Sequence, residues 1–308
     1  MSNAGSEPTA GEALLSDWIG RAEAAHDEVT GPAAARVAAL LDLAPRPFRR
    51  GDAIASAWYV MLFGPLAPQA SLAEDGHPAK GQFLPPVALP RRMFAGRRVS
   101  FHEGLRVGDE MRRQSTILRI AEKQGRSGPM CFVTVRHEIG GPRGLAVIEE
   151  QDIVYRGESR TSSSGAPPTP NPSPQGGGEA RSRDGELAHT WSQVITPTPA
   201  MVFRYSAITF NAHRIHYDWP YTRDVEGYPG LVVNGGLTTL LAWHSAARAS
   251  GQAVRASATR NLRPLFVGRA ITITAGAVGA GGSQRVVVSN DAGEACLKAD
   301  LKLGKDSA

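Results

Sequence analysis

The chain has 308 residues, 42% of them apolar, with a formal net charge of +5 and a sequence pI of about 9.5. That is enough apolar side chain for one large core or two modest ones, and without a run of five like charges or a basic face interleaved with aromatics it argues against a nucleic-acid partner. The first twenty residues lack the basic and apolar segments of a signal peptide, no 18-residue uncharged apolar stretch occurs, and the two cysteines, Cys131 and Cys296, can build neither a disulfide framework nor a cysteine zinc site, so a cytoplasmic protein without a membrane partner is expected.

In chain order, the first element is a helix over "TGPAAARVAALLDL", with Thr30 as N-cap and Pro32 in its first turn. Apolar stretches "WYVMLFGPL" and "FLPPVALPRRMFAG" follow, suited equally to a pocket lining or to plain core. Then come alternating, β-branched-rich strands from Phe101 to about residue 156, joined by glycine-containing hairpins. Residues 157–187 are almost wholly Gly, Pro, Ser, Thr and charge, the composition of a disordered linker. Beyond it, "NGGLTTLLAWHSAARASG" reads as a second Leu/Ala-rich helix stopping at Gly251, again followed by strands.

The two halves end alike. Leu105, Val107 and Gly108 match Leu265, Val267 and Gly268 at a constant offset, which indicates an internal duplication. A helix followed by an antiparallel meander, twice over, gives an α+β fold of double hot-dog type: two antiparallel sheets, each wrapped around a helix. The expected boundaries are an N-terminal half over 12–156, the linker over 157–187, and a C-terminal half over 188–305.

Chemistry concentrates in "FNAHRIHYD", Phe210 to Asp218. On residue types alone, Phe210, Asn211 and Ile215 fit a capped helix start with a hydrophobic staple. His213 and His216, at i and i+3, could share an ion, but no further ligand at a telling spacing completes a metal set, so no metal is expected. Asp218 and Asp224 read as turn or surface carboxylates, and His244 as a satisfied core residue.

The stretch Arg204 to Ala246, together with "DWIGRAEAAHDEVT" and "LPRRMFAGRRVSFHEGLRVGD", resembles the MaoC-type hydratases and dehydratases, in particular the double hot-dog branch that includes mesaconyl-C4-CoA hydratases. The resemblance implies addition of water to, or its elimination from, the β-carbon of an acyl-CoA thioester, for example 3-methylfumaryl-CoA giving citramalyl-CoA. It implies no cofactor beyond coenzyme A as part of the substrate. Laid on the family motif Asp-x-Asn-Pro-x-His, the acid falls on Asn211, the Asn on His213, the Pro on Arg214 and the His on His216. An amide is not a base, so proton transfer rests on His216, with Asn211 orienting the water. The two lie about 140° apart on a regular helix, so sharing a water requires a bend at Asn211. The Gly235 N–H, at the start of the second helix beside Asn234 and Gly236, faces the thioester oxygen. Arg204, Arg214, Arg260 and Arg263 are candidate partners for CoA phosphates or a substrate carboxylate. A hot-dog thioesterase and a non-catalytic acyl-CoA binding protein stand as alternatives, and both a monomer and a homodimer remain open.

Overall fold

The computed structural model describes residues 14–125, 128–157 and 189–305; the Gly/Pro/Ser-rich segment expected to be a linker falls almost wholly outside them. β1 (Ala22–Glu28) runs into α1 (Gly31–Leu40), where Thr30 caps as expected, its Oγ1 accepting from the Ala33 amide at 3.3 Å. A two-stranded ribbon of β2 (Ala53–Ile54) and β4 (Leu105–Arg106) flanks β3 (Arg91–Phe101). The long strands β5 (Glu110–Gly125), β6 (Gly128–Gly141) and β7 (Gly144–Arg156) complete the first half. The second half contains β8 (His189–Ile195), α2 (Pro199–Ile208), the short α3 (Trp219–Asp224), α4 (Gly235–Ser250), β9 (Ala253–Asn261), β10 (Ile271–Gly276), β11 (Ser283–Ser289) and β12 (Ala295–Gly304).

All strands but β2 and β4 join one ten-stranded antiparallel sheet, in the order β1-β5-β6-β7-β3-β9-β12-β11-β10-β8. The order is a mirrored list: β1 answers β8, β5 answers β10, β6 answers β11, β7 answers β12, and β3 answers β9. The duplication read at Leu105 and Leu265 is therefore structural. Both leucines are buried, and Gly108 and Gly268 take the same left-handed turn, with φ of 91° and 80°. The halves are fused along β3 and β9, paired from Gly96 opposite Arg260 to Ser100 opposite Ala256.

The double hot-dog arrangement differs from the expected symmetric form in two ways. Its two sheets are continuous through that seam. And α1 is by position the counterpart of α2, not of α4: each follows an edge strand, each is capped by a threonine (Thr30, Thr198), and each has proline in its first turn. Where the second half places α4 before β9, the first half has only the 3-10 turns Ser56–Met61 and Gln69–Ser71 before β3.

The central helix is thus α4. Its Leu237, Leu240 and Leu241 are buried, and Trp243, fully buried, donates Nε1–H to Ser257 Oγ at 2.8 Å and meets Phe101 edge-on at 5.8 Å between ring centres. The sheets curl around it because β11 and β12 alternate inward and outward side chains, as "VVV" and "CLKADLKL" with period two require. Among the described residues no helix is long and apolar enough to cross a membrane. Cys131 and Cys296 are buried and unbridged.

Candidate active site

A cavity of about 1730 Å3 is lined by both halves. The "WYVMLFGPL" and "FLPPVALPRRMFAG" stretches serve both of their expected roles: Trp58 and Met61 are core, while Leu62, Phe63, Phe83 and Phe94 face the cavity.

The "FNAHRIH" segment lines it too, but as a turn and not as a regular helix. Phe210, at φ 49°, breaks the chain away from α2. Asn211 then accepts the His213 amide on Oδ1 at 2.9 Å, an Asx turn, and only one 3-10 turn, Arg214–His216, follows. The expected staple is therefore replaced by a tighter bend, with the Asn211 carbonyl oxygen committed to it.

His216 is buried, and its Nδ1 lies 2.8 Å from the Val232 carbonyl oxygen. A carbonyl only accepts, so Nδ1 carries the proton and Nε2 keeps a free lone pair. Burial pushes this imidazole down to about 4, against the opposing pull of the Val232 carbonyl, so it is neutral near pH 7.

At the start of α4 no side chain caps the helix. Asn234 is 2% exposed and donates Nδ2–H to Ser206 Oγ at 3.2 Å, while its Oδ1 has no partner among the described residues. Gly235 and Gly236 line the cavity with first-turn amides that lack an i−4 carbonyl within the helix. A β-carbon on Gly236 would collide with the Tyr205 hydroxyl, so only glycine lets that ring close over the helix start.

The expected arginines divide. Arg263 lines the cavity, with Nη1 on the Ala295 carbonyl at 2.9 Å and Nε 3.6 Å from Glu294. Arg204 and Arg260 are exposed and do not reach the cavity wall. Arg214 turns away from it as well, pairing with Asp218 at 2.7 Å and donating to the Glu74 carbonyl at 3.1 Å. Asp218 caps α3 on the Tyr221 amide and Asp224 pairs with Arg223, as turn and surface carboxylates should. His244 is only half-buried and its Nε2 has no partner, so it is not the satisfied core residue expected.

The first half adds groups not anticipated from sequence. Buried Tyr59 donates to Glu149 Oε2 at 2.9 Å and accepts from Arg97 Nη1 at 3.1 Å. Burial works against the Arg97 charge, but Glu149 and Tyr59 more than restore it. His77 meets His213 with tilted rings, their centres 4.1 Å apart, and the His213 and His216 ring centres lie 5.4 Å apart. Asp75 accepts both the His77 amide and its Nδ1–H at 2.9 Å. Ligand-type atoms of Asp75, His77 and His213 lie within 4.8 Å of one another, a spacing a cation could bridge. That group is completed by two residues the sequence spacing did not bring to His213, and within it His77 already donates to Asp75.

A capacious cavity on a doubled hot-dog sheet, lined by an uncapped helix start and by a neutral buried histidine, is a site suited to acyl-thioester chemistry. The profile of hydroxyacyl-thioester dehydratase type 2 (Htd2) matches residues 57–267. The mesaconyl-C(4)-CoA hydratase of Chloroflexus aurantiacus is 41% identical over 252 residues, 81% of this chain and 84% of that protein. Among solved structures, a MaoC-like dehydratase superposes with a TM-score of 0.64 at 14% identity, covering 95% of this chain and 100% of the other. A Mycobacterium tuberculosis protein of double hot-dog fold gives 0.55 at 16% identity, covering 94% and 97%. The chain belongs to the Htd2 branch of the MaoC-like dehydratases; it is a hydro-lyase, an acyl-thioester hydratase and dehydratase.

Proposed function

We infer that the enzyme hydrates a branched, dicarboxylic enoyl-CoA, with 3-methylfumaryl-CoA (mesaconyl-C4-CoA) as the first candidate and a citramalyl-type hydroxyacyl-CoA as product, acting in the cytoplasm. In this reading His216 Nε2 takes the proton from a water held by Asn211 Nδ2, and the water oxygen attacks the β-carbon. The Gly235 N–H meets the charge that builds on the thioester oxygen. Arg263 and Gly236 shape the surrounding wall.

The observation that carries the dicarboxylic substrate is Arg92. Arg91, Arg97, Arg113 and Arg263 line the same cavity, and each has a carboxylate partner: Glu226, Glu149, Glu23 and Glu294. Arg92 lines it without any carboxylate in ion-pair range among the described residues. A cation left over beside the histidines suits the free carboxylate of a dicarboxylic acyl group. The similarity to a mesaconyl-C(4)-CoA hydratase supports the same choice.

The test is to incubate the purified protein with a panel of mono- and dicarboxylic enoyl-CoA thioesters and read product masses. A gain of one water, with dicarboxylic substrates preferred, is expected, and Arg92→Gln lowers kcat/KM about 10- to 100-fold on dicarboxylic substrates alone. Release of free CoA thiol without hydration would make the protein a thioesterase. Binding without turnover would make it a carrier.

A further inference from the structure

Hydration moves two protons, one off water and one onto the α-carbon. The canonical motif supplies two ionisable side chains, and here one of its positions is Asn211, whose carbonyl oxygen is already spent on the His213 amide. A second proton-transferring group has to come from elsewhere in the cavity wall. His77 lines the cavity, its ring tilted against His213, and Asp75 stands behind it with its carboxylate on Nδ1 at 2.9 Å. The tautomer this enforces leaves His77 Nε2 as the reactive atom, as in a catalytic carboxylate–imidazole pair.

The loop that carries His77 is anchored on the His216 segment. The Arg214 amide donates to the Asp75 carbonyl at 2.9 Å, and the Arg214 guanidinium reaches the Glu74 carbonyl at 3.1 Å. Between them Gly76, at φ 86°, lies so close to the Ala212 carbonyl that no β-carbon would fit. The contacts that fix this loop are made to residues 212–214 of the second half, so the position of His77 is set directly against the site.

We propose that His77, oriented by Asp75, is the second proton-transferring residue of the hydratase site, working opposite His216. The assignment rests on the hydratase reading above. In hydration the water oxygen bonds to the β-carbon while one O–H bond breaks and its proton passes to His216 Nε2. The C=C electron pair moves through the α-carbon onto the thioester oxygen. That pair then returns to form a C–H bond at the α-carbon, taking the proton from protonated His77, whose Nδ1–H stays on Asp75. His77 takes up one proton with the substrate and His216 releases one with the product, so the protons balance over each turnover. The groups facing His77 are Asp75, Glu226, His213, His216 and Arg92. Burial, with Arg92, holds its pKa below the ordinary imidazole value in the empty site, against Asp75 and Glu226, and a substrate carboxylate seated on Arg92 removes that cation's opposition, so His77 takes up its proton as the substrate binds.

The experiment compares the full-length parent with His77→Gln and Asp75→Asn on an enoyl-CoA that the parent hydrates. kcat, KM, the pH profile of kcat and α-carbon deuterium incorporation in D2O are measured. His77→Gln is expected to lower kcat at least about 100-fold with KM within about threefold, and to lose α-deuteration in step. Asp75→Asn is expected to lower kcat about tenfold and to move the alkaline limb of the profile to lower pH, because removal of the carboxylate lowers the proton affinity of His77. If His77→Gln does not fold, the alkaline limb of Asp75→Asn decides. kcat of His77→Gln within threefold of the parent, or an alkaline limb unmoved in Asp75→Asn, overturns the proposal. So does activity lost to a chelator and restored by a divalent cation, which would make Asp75, His77 and His213 ligands. A parent that hydrates nothing removes the hydratase reading and this proposal together, whereas a hydrating parent with an active His77→Gln removes this proposal alone.

Discussion

His216 shows how a single residue can be legible in sequence while its environment is not. The family resemblance implied that it is the proton acceptor, but only the fold shows its Nδ1 on Val232 and its pKa lowered to about 4. Because the folded pKa lies below the unfolded one, the unfolded chain binds more protons between them. Stability is complete above about pH 6.5 and falls as pH drops toward 4, by on the order of 3 kcal/mol from this residue alone. Buried His213 and the partly buried His77 and His137 shift in the same direction and steepen the loss. Thermal melts between pH 4 and 7 check the sign; a melting temperature that rises on acidification contradicts it. His216→Ala is expected to cost at least about 100-fold in kcat while raising acid stability. His77 and Asp75 escaped notice for a physical reason. They lie in a polar insert, "AEDGHPAK", without periodicity, more than 130 residues before the motif they complete. A carboxylate and an imidazole flanking a glycine was the available signal.

At the scale of elements, capping chemistry was readable and helix correspondence was not. Thr30 with Pro32 announces α1 because its cap and first turn are local. That α1 answers α2 depends on what each packs beside, and the two helices pack against each other, which no spacing rule reports. The same limit applies to "FNAHRI": staple and Asx turn share their residue types, and the contact with the Asp75 loop selects the turn. Gly76 is where that contact is most exposed to test. Gly76→Ala adds a β-carbon against the Ala212 carbonyl at a left-handed backbone position, so a loss of about 1–3 kcal/mol is expected, measured by denaturant melts. Because the loop would lift His77 from the site, kcat falls at least about tenfold, while KM for the CoA portion is retained. An unimpaired Gly76→Ala would show that the loop can move without consequence.

For the whole molecule, the duplicated endings at Leu105 and Leu265 were enough to foresee two hot-dog halves. The seam was not foreseeable, since "RRMFAGRRVSF" and "AVRASATRN" each read as an ordinary strand and their pairing is long-range. Nor was the asymmetry: a helix present in one half and replaced by Ser56–Met61 in the other leaves no trace in periodicity beyond a short apolar run.

That missing helix has an arithmetic consequence. A protein assembled from two equal hot-dogs around two helix starts could load two acyl groups; here, among the described residues, α4 is the helix whose start lines the cavity, so on the role proposed for the Gly235 N–H one thioester carbonyl is received per chain. Saturation is therefore expected at one thioester per 308-residue chain, whatever the number of chains in the assembly, and calorimetric titration with a non-reactive saturated acyl-CoA should return a stoichiometry of one, where a value of two would mean that the first half still keeps a site of its own.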